Sequence, residues 1–180
     1  MLRPIAVLAV LMGTLVAASK PVAAQLLSAG VGPAFPTGNF KDLSDPGTGV
    51  LLSGRLNLGI LPLVQLQIEL STVRGWDTAS IEGDETIRVT SGGANLALHF
   101  VRLASIRPYV LAGLIGSVQS LEGGLGESED DFRFGYQTGA GLDFRLGPLT
   151  PFVELRWVSL DGPDDQRYTY VPLLIGIKIL

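Results

Sequence analysis

The sequence predicts an all-β fold, an eight-stranded antiparallel up-and-down transmembrane β-barrel, and three observations support this prediction. Apolar and polar residues alternate along most of the chain, as they do in strands that separate two environments. The alternating segments are joined in turn by short connections and by long polar ones, which is the layout of a transmembrane barrel. Mean hydropathy is +0.39, high for a soluble domain, yet no apolar run after the N-terminal segment is long enough for a transmembrane helix.

Residues 1–24 have the features of a cleavable signal peptide. Arg3 gives a positive start, an apolar run follows, and residues 22–24 (Val-Ala-Ala) form the small-residue pattern of a cleavage site. The sequence therefore predicts cleavage before Gln25 and a barrel domain over residues 25–180. The alternative is a retained anchor helix, which the short apolar run disfavours because a spanning helix needs about 20 residues.

Charge and cysteine content exclude several classes of function. The chain has 13 basic and 17 acidic residues, a net charge of −4, and no cysteine. Without Arg3 and Lys20 the mature chain keeps 11 basic residues against 17 acidic ones and carries −6. An acidic balance disfavours nucleic acid as a partner, because phosphate binding needs basic side chains. Without disulfides, packing and backbone hydrogen bonds must stabilise the fold.

Eight segments have the pattern of strands: 26–35, 48–58, 63–73, 87–101, 107–118, 132–146, 150–159 and 168–179. The connections between them alternate in length. Short ones lie at 59–62, near 103–105 and at 147–148, and long, polar and acidic ones lie at 36–47, 74–86, 119–131 and 160–167. We therefore expect the short turns at one end of the barrel and the long loops at the other.

Alternation is strictest in the third, sixth, seventh and eighth predicted strands. In each of them, most of the alternate positions hold a branched or aromatic apolar residue, and most of the positions between are polar or small. Since successive side chains of a strand point to opposite faces, each of these strands has one apolar and one polar face. The apolar rows include Val64, Leu66, Ile68 and Leu70; Phe132, Phe134, Tyr136 and Leu142; Val153, Leu155 and Trp157; and Leu173, Ile175, Ile177 and Ile179.

The fourth predicted strand departs from this pattern. An apolar row is clear over residues 94–100, but Ile87 and Val89 fall on the opposite parity. A bulge at Gly92-Gly93 would reset the phase, since glycine within a strand often marks one. Otherwise the upper part of the strand rises above the membrane, where parity matters less.

A soluble lipocalin-like barrel would show the same alternation with its apolar face inside. Three observations favour a membrane barrel. Charged residues and glycines are interleaved on the polar face, which suits a narrow packed lumen, and loop lengths differ between the two ends. Aromatic residues also form two belts near the strand ends, as at membrane interfaces. The belts consist of Phe35, Phe132, Phe134 and Trp157 at one rim and Phe100 and Phe144 at the other.

Four passages resemble the small outer-membrane β-barrel family of the OmpA/OmpX type. They are GVGPAFPTGNFKD (30–42), RPYVLAGLIGSV (107–118), GYQTGAGLDFRLGPLTPFVELRW (135–157) and VPLLIGIKI (171–179). The resemblance implies a Gram-negative outer membrane, contact with its lipid and lipopolysaccharide, and help from the barrel-insertion machinery during biogenesis. Members include adhesion and serum-resistance factors, structural anchors and a few lipid-modifying enzymes. The resemblance therefore implies an architecture and a membrane rather than an activity.

Charged residues on the polar face form the candidate site. Eight strands leave a lumen that side chains fill, and buried charges must pair, because a broken buried pair costs about 3–5 kcal/mol. We therefore expect a structural network of charges in the lumen rather than a catalytic or conducting one. Its expected members are Arg55, Glu69, Arg133, Asp143, Arg145, Glu154, Arg156 and Lys178.

The sequence offers no catalytic, cofactor or metal site. His99 is the single histidine, and it lies at the turn end of the fourth strand. A hydrolase acting on lipid A would need its histidine near the outer leaflet. One histidine without cysteine is also a weak basis for a metal site.

The four long connections hold 14 of the 17 carboxylates. Clustered carboxylates could bind Ca²⁺ or Mg²⁺, directly or as bridges to lipopolysaccharide phosphates, although no spacing matches a calcium loop and a solvated surface is the simpler interpretation. The sequence thus predicts a small outer-membrane barrel, not a large pore, with a structural or surface-binding role through acidic extracellular loops. Two alternatives stay open: an outer-leaflet lipid-modifying enzyme and a periplasmic lipocalin-like ligand-binding barrel.

Overall fold

The computed structural model describes residues 26–38, 46–57, 63–77, 86–101, 103–122, 131–162 and 167–179. The predicted leader with its cleavage site, and most of the four acidic connections, lie outside these ranges. No helix in the described part of the chain is long and apolar enough to cross a membrane.

Eight strands form a closed barrel in which each strand pairs antiparallel with its neighbours in the chain, and the last pairs with the first. The strands are β1 (Leu26–Thr37), β2 (Gly47–Asn57), β3 (Val64–Asp77), β4 (Thr86–His99), β5 (Ile106–Glu122), β6 (Asp131–Phe144), β7 (Leu149–Asp161) and β8 (Arg167–Ile179). The predicted fold is therefore confirmed. The largest differences in strand bounds lie at the loop ends, where β3 and β5 each extend four residues beyond the predicted limit.

Two of the short connections are two-residue hairpin turns. One closes around Ala104-Ser105 and the other around Gly147-Pro148. Gly147 has a φ of 72° and is followed by proline, a combination that suits a tight hairpin. Ala104 adopts a φ of 55°, in the left-handed region that favours glycine.

Of the two explanations offered for the fourth strand, the bulge at Gly92-Gly93 is wrong. β4 keeps one continuous register with both β3 and β5 through the two glycines. The irregularity lies instead in β3, where the register shifts between Arg74 and Trp76. Val89 is therefore a true inward residue, buried inside the barrel although it is apolar.

The wall of the barrel is apolar on its outer face. Large hydrophobic side chains stand exposed on every strand, while their neighbours in the chain turn inward and are buried. The outward row includes Leu27, Leu52, Leu70, Leu96, Leu114, Phe134, Leu155 and Ile175. The aromatic residues that predicted the two belts face outward as well, and Phe132 and Phe134 pack edge to face with centroids 4.8 Å apart.

Candidate functional site

Six of the charged residues that the sequence places on the polar face are buried together inside the barrel. They come from β2, β3, β6, β7 and β8, and each is at most 6% exposed. Three are cations and three are anions, so the group is electrically balanced. We call this group the lumen charge network: Arg55, Glu69, Asp143, Glu154, Arg156 and Lys178.

Asp143 is the anion of the part nearest the turns. It pairs with Lys178 Nζ, and its Oδ2 lies 3.9 Å from Arg55 Nη1 and 3.6 Å from His99 Nε2. Lys178 and Arg55 also lie against the Tyr109 ring, 4.3 Å and 4.7 Å from its centroid. Cation–π contacts therefore add to the ion pairs around Asp143.

Tyr109 connects this part to the middle of the lumen. Its hydroxyl donates to Glu154 Oε2 at 2.5 Å, and Glu154 Oε1 accepts from Arg156 Nε at 2.5 Å. Gly141 leaves the space that the phenol ring occupies, because a Cβ at that position would lie 2.5 Å from the ring carbon Cζ. A larger residue at 141 would displace Tyr109 and break the connection.

Glu69 is the anion of the middle part. Its Oε1 accepts from Arg156 Nη1 at 2.6 Å and from Gln137 Nε2 at 2.6 Å. Its Oε2 accepts from Asn95 Nδ2 at 2.8 Å. Glu69 is thus surrounded by donors from three other strands, which compensates the loss of its hydration.

Gln67 joins the two parts by a second route. Its side-chain oxygen accepts from Arg55 Nε at 2.9 Å, and its nitrogen lies 3.2 Å from Glu69 Oε2 and 3.3 Å from Ser53 Oγ. Ser53 Oγ in turn lies 2.6 Å from Ser28 Oγ. The hydrogen bonds therefore continue from β3 across β2 to β1.

This arrangement can hold strands in register, but it offers little reactive chemistry. Each carboxylate of the network is bonded to donors or cations, and removing one partner would leave a buried charge uncompensated. His99, which is 2% exposed, has Arg55, Asp143 and Tyr109 around it and no serine or threonine hydroxyl among these contacts. Within the described ranges, no group of three His, Asp or Glu side chains could hold a metal ion.

The two remaining predicted members lie apart from the network. Arg133 is half-buried at the loop end, where its Nη1 donates to the Asp161 carbonyl at 3.0 Å and its guanidinium lies 5.3 Å from the Tyr168 ring centroid. Arg145 is exposed in the turn after β6. The prediction for Arg145 is wrong because the strand ends at Phe144, so inward–outward alternation no longer applies to the next residue.

Sequence reasoning missed five polar members of the site. These are Gln67, Asn95, His99, Tyr109 and Gln137, all buried. The alternation of side chains along each strand places all five on the inward face, and this could have been read from the sequence. Their bonding partners could not be read from the sequence, because strand tilt and register decide which inward residues of distant strands meet.

The loop-side part of the lumen is apolar, which the sequence analysis did not foresee. Seven buried residues of six strands pack there in one cluster, which we call the apolar plug: Ala34, Val73, Val89, Ile115, Val158, Leu160 and Tyr170. Between the plug and Arg156 and Gln137 lies a cavity of about 20 Å³, room for about one water molecule. The described interior is thus closed toward the loops by hydrophobic side chains.

Comparison with solved structures places this geometry among known barrels. Neisserial surface protein A matches with a TM-score of 0.72 and 14% identity, over 87% of this chain and 97% of that chain. Ail, the attachment invasion locus protein of Yersinia pestis, in complex with the heparin analogue sucrose octasulfate, matches with 0.55 and 16%, over 87% and 100%. A major outer membrane protein from Thermus thermophilus matches with 0.51 and 10%, over 87% and 99%.

The chain has the fold of a small outer-membrane β-barrel. The predicted resemblance to the OmpA/OmpX type is confirmed at the level of the fold. An outer-membrane location agrees with this fold and with the apolar outer face of the wall. No protein-family model and no curated protein matches the sequence.

Proposed function

We propose that this outer-membrane barrel is a closed scaffold that presents acidic loops at the cell surface for binding. The observation that carries the proposal is the distribution of polar and apolar side chains: the polar ones face the lumen and the apolar ones face outward. Six mutually compensating charges are buried inside, whereas apolar side chains cover the outside. Soluble barrels have the opposite distribution, with the apolar face inside.

The closed lumen supports a scaffold rather than a pore. A conducting barrel needs a continuous aqueous path, and porins use about 16–18 strands to provide one. Here the plug closes the loop side, and the lumen charge network fills the middle and the turn side. An ion crossing the lumen would have to separate Asp143 from Lys178 and pass apolar side chains such as Leu160.

The loops are the part left to carry a specific function. In folds of this kind, function is most often attached to loops held by a rigid scaffold. The carboxylates outside the lumen all lie in the long connections or at the strand ends beside them. Such loops favour cationic partners, or divalent cations that bridge them to lipopolysaccharide phosphates. This differs from the polyanion present in the Ail complex.

A lipid-modifying enzyme is the second candidate class, and the geometry gives it little support. His99 is enclosed by the network on the turn side, whereas lipid A lies in the outer leaflet. Mass spectrometry of lipid A from cells that overproduce the protein tests this alternative. A mass shift that depends on the intact chain would favour the enzyme over the scaffold.

Two measurements test the proposed scaffold. On membrane fractionation the protein should accompany the outer membrane and migrate differently on gels before and after heating, as folded barrels do. In planar bilayers it should give no stable, large conductance steps. Recovery in the soluble periplasm, or steady porin-like conductance from the monomer, would contradict the proposal.

Loop binding has a test of its own. Ca²⁺ or Mg²⁺ titrated calorimetrically into the barrel in lipid bicelles should bind, and replacing Glu127, Glu129 and Asp130 by their amides should weaken that binding. Arg145→Gln at the opposite end is the matched surface control and should bind like the unmodified protein. Equal heats from all three proteins would contradict a role for this loop in cation binding.

A further inference from the structure

The small cavity where the lumen charge network meets the apolar plug has the features of a binding site. Its volume is about 20 Å³. The lining includes three polar side chains and several apolar ones. These are Ser71, Gln137 and Arg156, and Leu51, Val73, Ile115, Val158 and Leu174. A cavity of this size can hold one water molecule if two to four polar groups face it, and the polar part of this lining meets that requirement.

Arg156 brings an unused hydrogen-bond donor to this cavity. Its Nε donates to Glu154 Oε1 at 2.5 Å, and its Nη1 donates to Glu69 Oε1 at 2.6 Å. Nη1 also lies 3.2 Å from Gln137 Oε1. In the part of the chain that the structure describes, Nη2 has no hydrogen-bond partner, although the residue is 2% exposed. Leaving a buried donor of a charged group unpaired is costly, so Nη2 calls for a further acceptor.

Gly49 of β2 gives the cavity part of its space. A Cβ at Gly49 would lie 3.6 Å from the Gly32 carbonyl oxygen and 3.6 Å from Val73 Cγ2, which are ordinary van der Waals distances. Its register partner Gly32 is different, because a Cβ there would lie 1.8 Å from the Leu173 carbonyl oxygen. The close approach of β1 and β8 therefore requires glycine at 32, whereas the wall would accept alanine at 49. Since Gly49 lines the cavity, its missing side chain leaves space for a bound molecule.

The charges around the cavity decide which molecule fits. An anion is the usual partner of a guanidinium. Here Arg156 already lies between Glu69 and Glu154, and the lumen charge network has three cations and three anions. An added anion would be repelled by both carboxylates in a medium that screens charge poorly. A small neutral molecule that can both accept and donate hydrogen bonds avoids this repulsion, and water is the one that matches the volume.

We infer that this cavity is a binding site for one structural water molecule. The water oxygen accepts from Arg156 Nη2, and the water donates to Gln137 Oε1 and to the Ser71 hydroxyl oxygen, both of which have acceptor capacity. These partners come from β7, β6 and β3, so the water connects β3 to two strands across the lumen. The site is independent of the acidic loops, and its failure would leave the proposed scaffold intact.

The test is solution NMR of the folded barrel in detergent micelles, which measures cross-relaxation between water protons and side chains. The methyl groups of Val158 and Leu174 line the cavity. These methyls and the guanidinium protons of Arg156 should show cross-relaxation with the sign of a water that tumbles with the protein. Val89 and Leu160 belong to the apolar plug but not to the lining of the cavity. Their methyl groups are the internal control and should show none.

Filling the cavity should remove the signal. Gly49→Ala places a methyl group in the space beside the water and should abolish cross-relaxation at Val158 and Leu174. Gly54→Ala on the same strand is the matched control, because a Cβ there would meet only Leu27 Cδ2 at 4.0 Å and the residue does not line the cavity. This control should keep the signal. In urea, Gly49→Ala should have an unfolding equilibrium constant about tenfold larger than that of Gly54→Ala, because a buried charged donor loses its partner.

Three results would overturn the water site. The first is absence of cross-relaxation at the cavity methyls of the unmodified protein, which would show a dry cavity. The second is an undiminished signal in Gly49→Ala that passes the check of heat-modifiable migration, because the signal would then arise elsewhere. The third is a peak of anomalous scattering beside Arg156 in crystals grown in bromide, which would assign the site to a halide. If Gly49→Ala does not fold, the unmodified protein and its internal control decide the question alone.

Discussion

The two parts of the lumen differ in chemistry although one barrel wall encloses both: ion pairs organise the part toward the turns, and an apolar cluster fills the part toward the loops. Toward the turns, Asp143, Lys178 and Arg55 need specific partners at specific distances. Toward the loops, residues such as Val158 and Leu160 need only to fill space. Charged groups define which strands lie together, because a shifted register leaves them unpaired. Apolar packing tolerates exchange of one side chain for another of similar volume.

This difference divides the tasks of the interior. The charged part favours one register, and the apolar part closes the barrel beneath the loops that it presents. The two parts should therefore respond differently to substitution. The predictions below test that difference, from the largest expected effect to the smallest.

Arg156→Met should destabilise the barrel most, by about 3–5 kcal/mol, because it leaves two buried carboxylates without their shared cation. These are Glu69 and Glu154, each 1% exposed. Urea unfolding in lipid vesicles, followed by tryptophan fluorescence, measures the change. Arg145→Met in the exposed turn should change the free energy of unfolding by less than about 0.5 kcal/mol. Similar effects from the two substitutions would show that the network contributes little.

Leu160→Ala in the plug should cost about 2–4 kcal/mol, since a buried leucine is replaced by a cavity. Leu160→Met should cost less than about 1.5 kcal/mol, because volume is nearly kept. Leu155→Ala, five residues before Leu160 on the same strand and facing outward at 51% exposure, should cost less than about 1 kcal/mol because lipid fills the space. The same unfolding assay applies. If Leu160→Ala lowered the free energy of unfolding no more than Leu155→Ala does, the apolar plug would not be a packed core.

Ala104→Gly in the tight turn should stabilise the barrel slightly, by about 0.5–1 kcal/mol. Alanine at a φ of 55° carries a strain that glycine lacks, although glycine also gains freedom in the unfolded chain. Ser105→Gly in the same turn has no positive φ to relieve and serves as the control. If Ala104→Gly lowers the free energy of unfolding as much as Ser105→Gly does, the backbone strain at Ala104 is negligible.

Alternation in the sequence was sufficient to predict the wall, because each residue's side of a strand depends only on its own position. It therefore placed Ile68 outside and Glu69 inside without knowledge of any partner. The expected network failed at Arg145 for a local reason, since the strand ends one residue earlier. Parity alone would have put His99 and Tyr109 on the inward face, but their contacts depend on the tilt of strands far apart in the chain.

The apolar plug explains the one apparent break in the pattern. Val89 looked out of phase because inward positions were expected to be polar throughout. In the structure, the inward–outward alternation of β4 continues without interruption, and the inward positions change from polar to apolar toward the loops. An inward apolar residue and an outward one look the same in a sequence, so only the continuous register distinguishes a bulge from a plug.

The central claim, a lipid-facing apolar wall around a closed interior, is tested most directly by the accessibility of the wall. The chain has no cysteine, so Ile68→Cys and Leu155→Cys each provide a single labelling site, on β3 and on β7. With the barrel in liposomes, a lipid-soluble quencher should strongly quench a fluorophore at either site, and aqueous iodide should quench it weakly. Strong quenching by iodide, or shielding from both quenchers, would contradict the membrane barrel, because these side chains would then face water or a dry core.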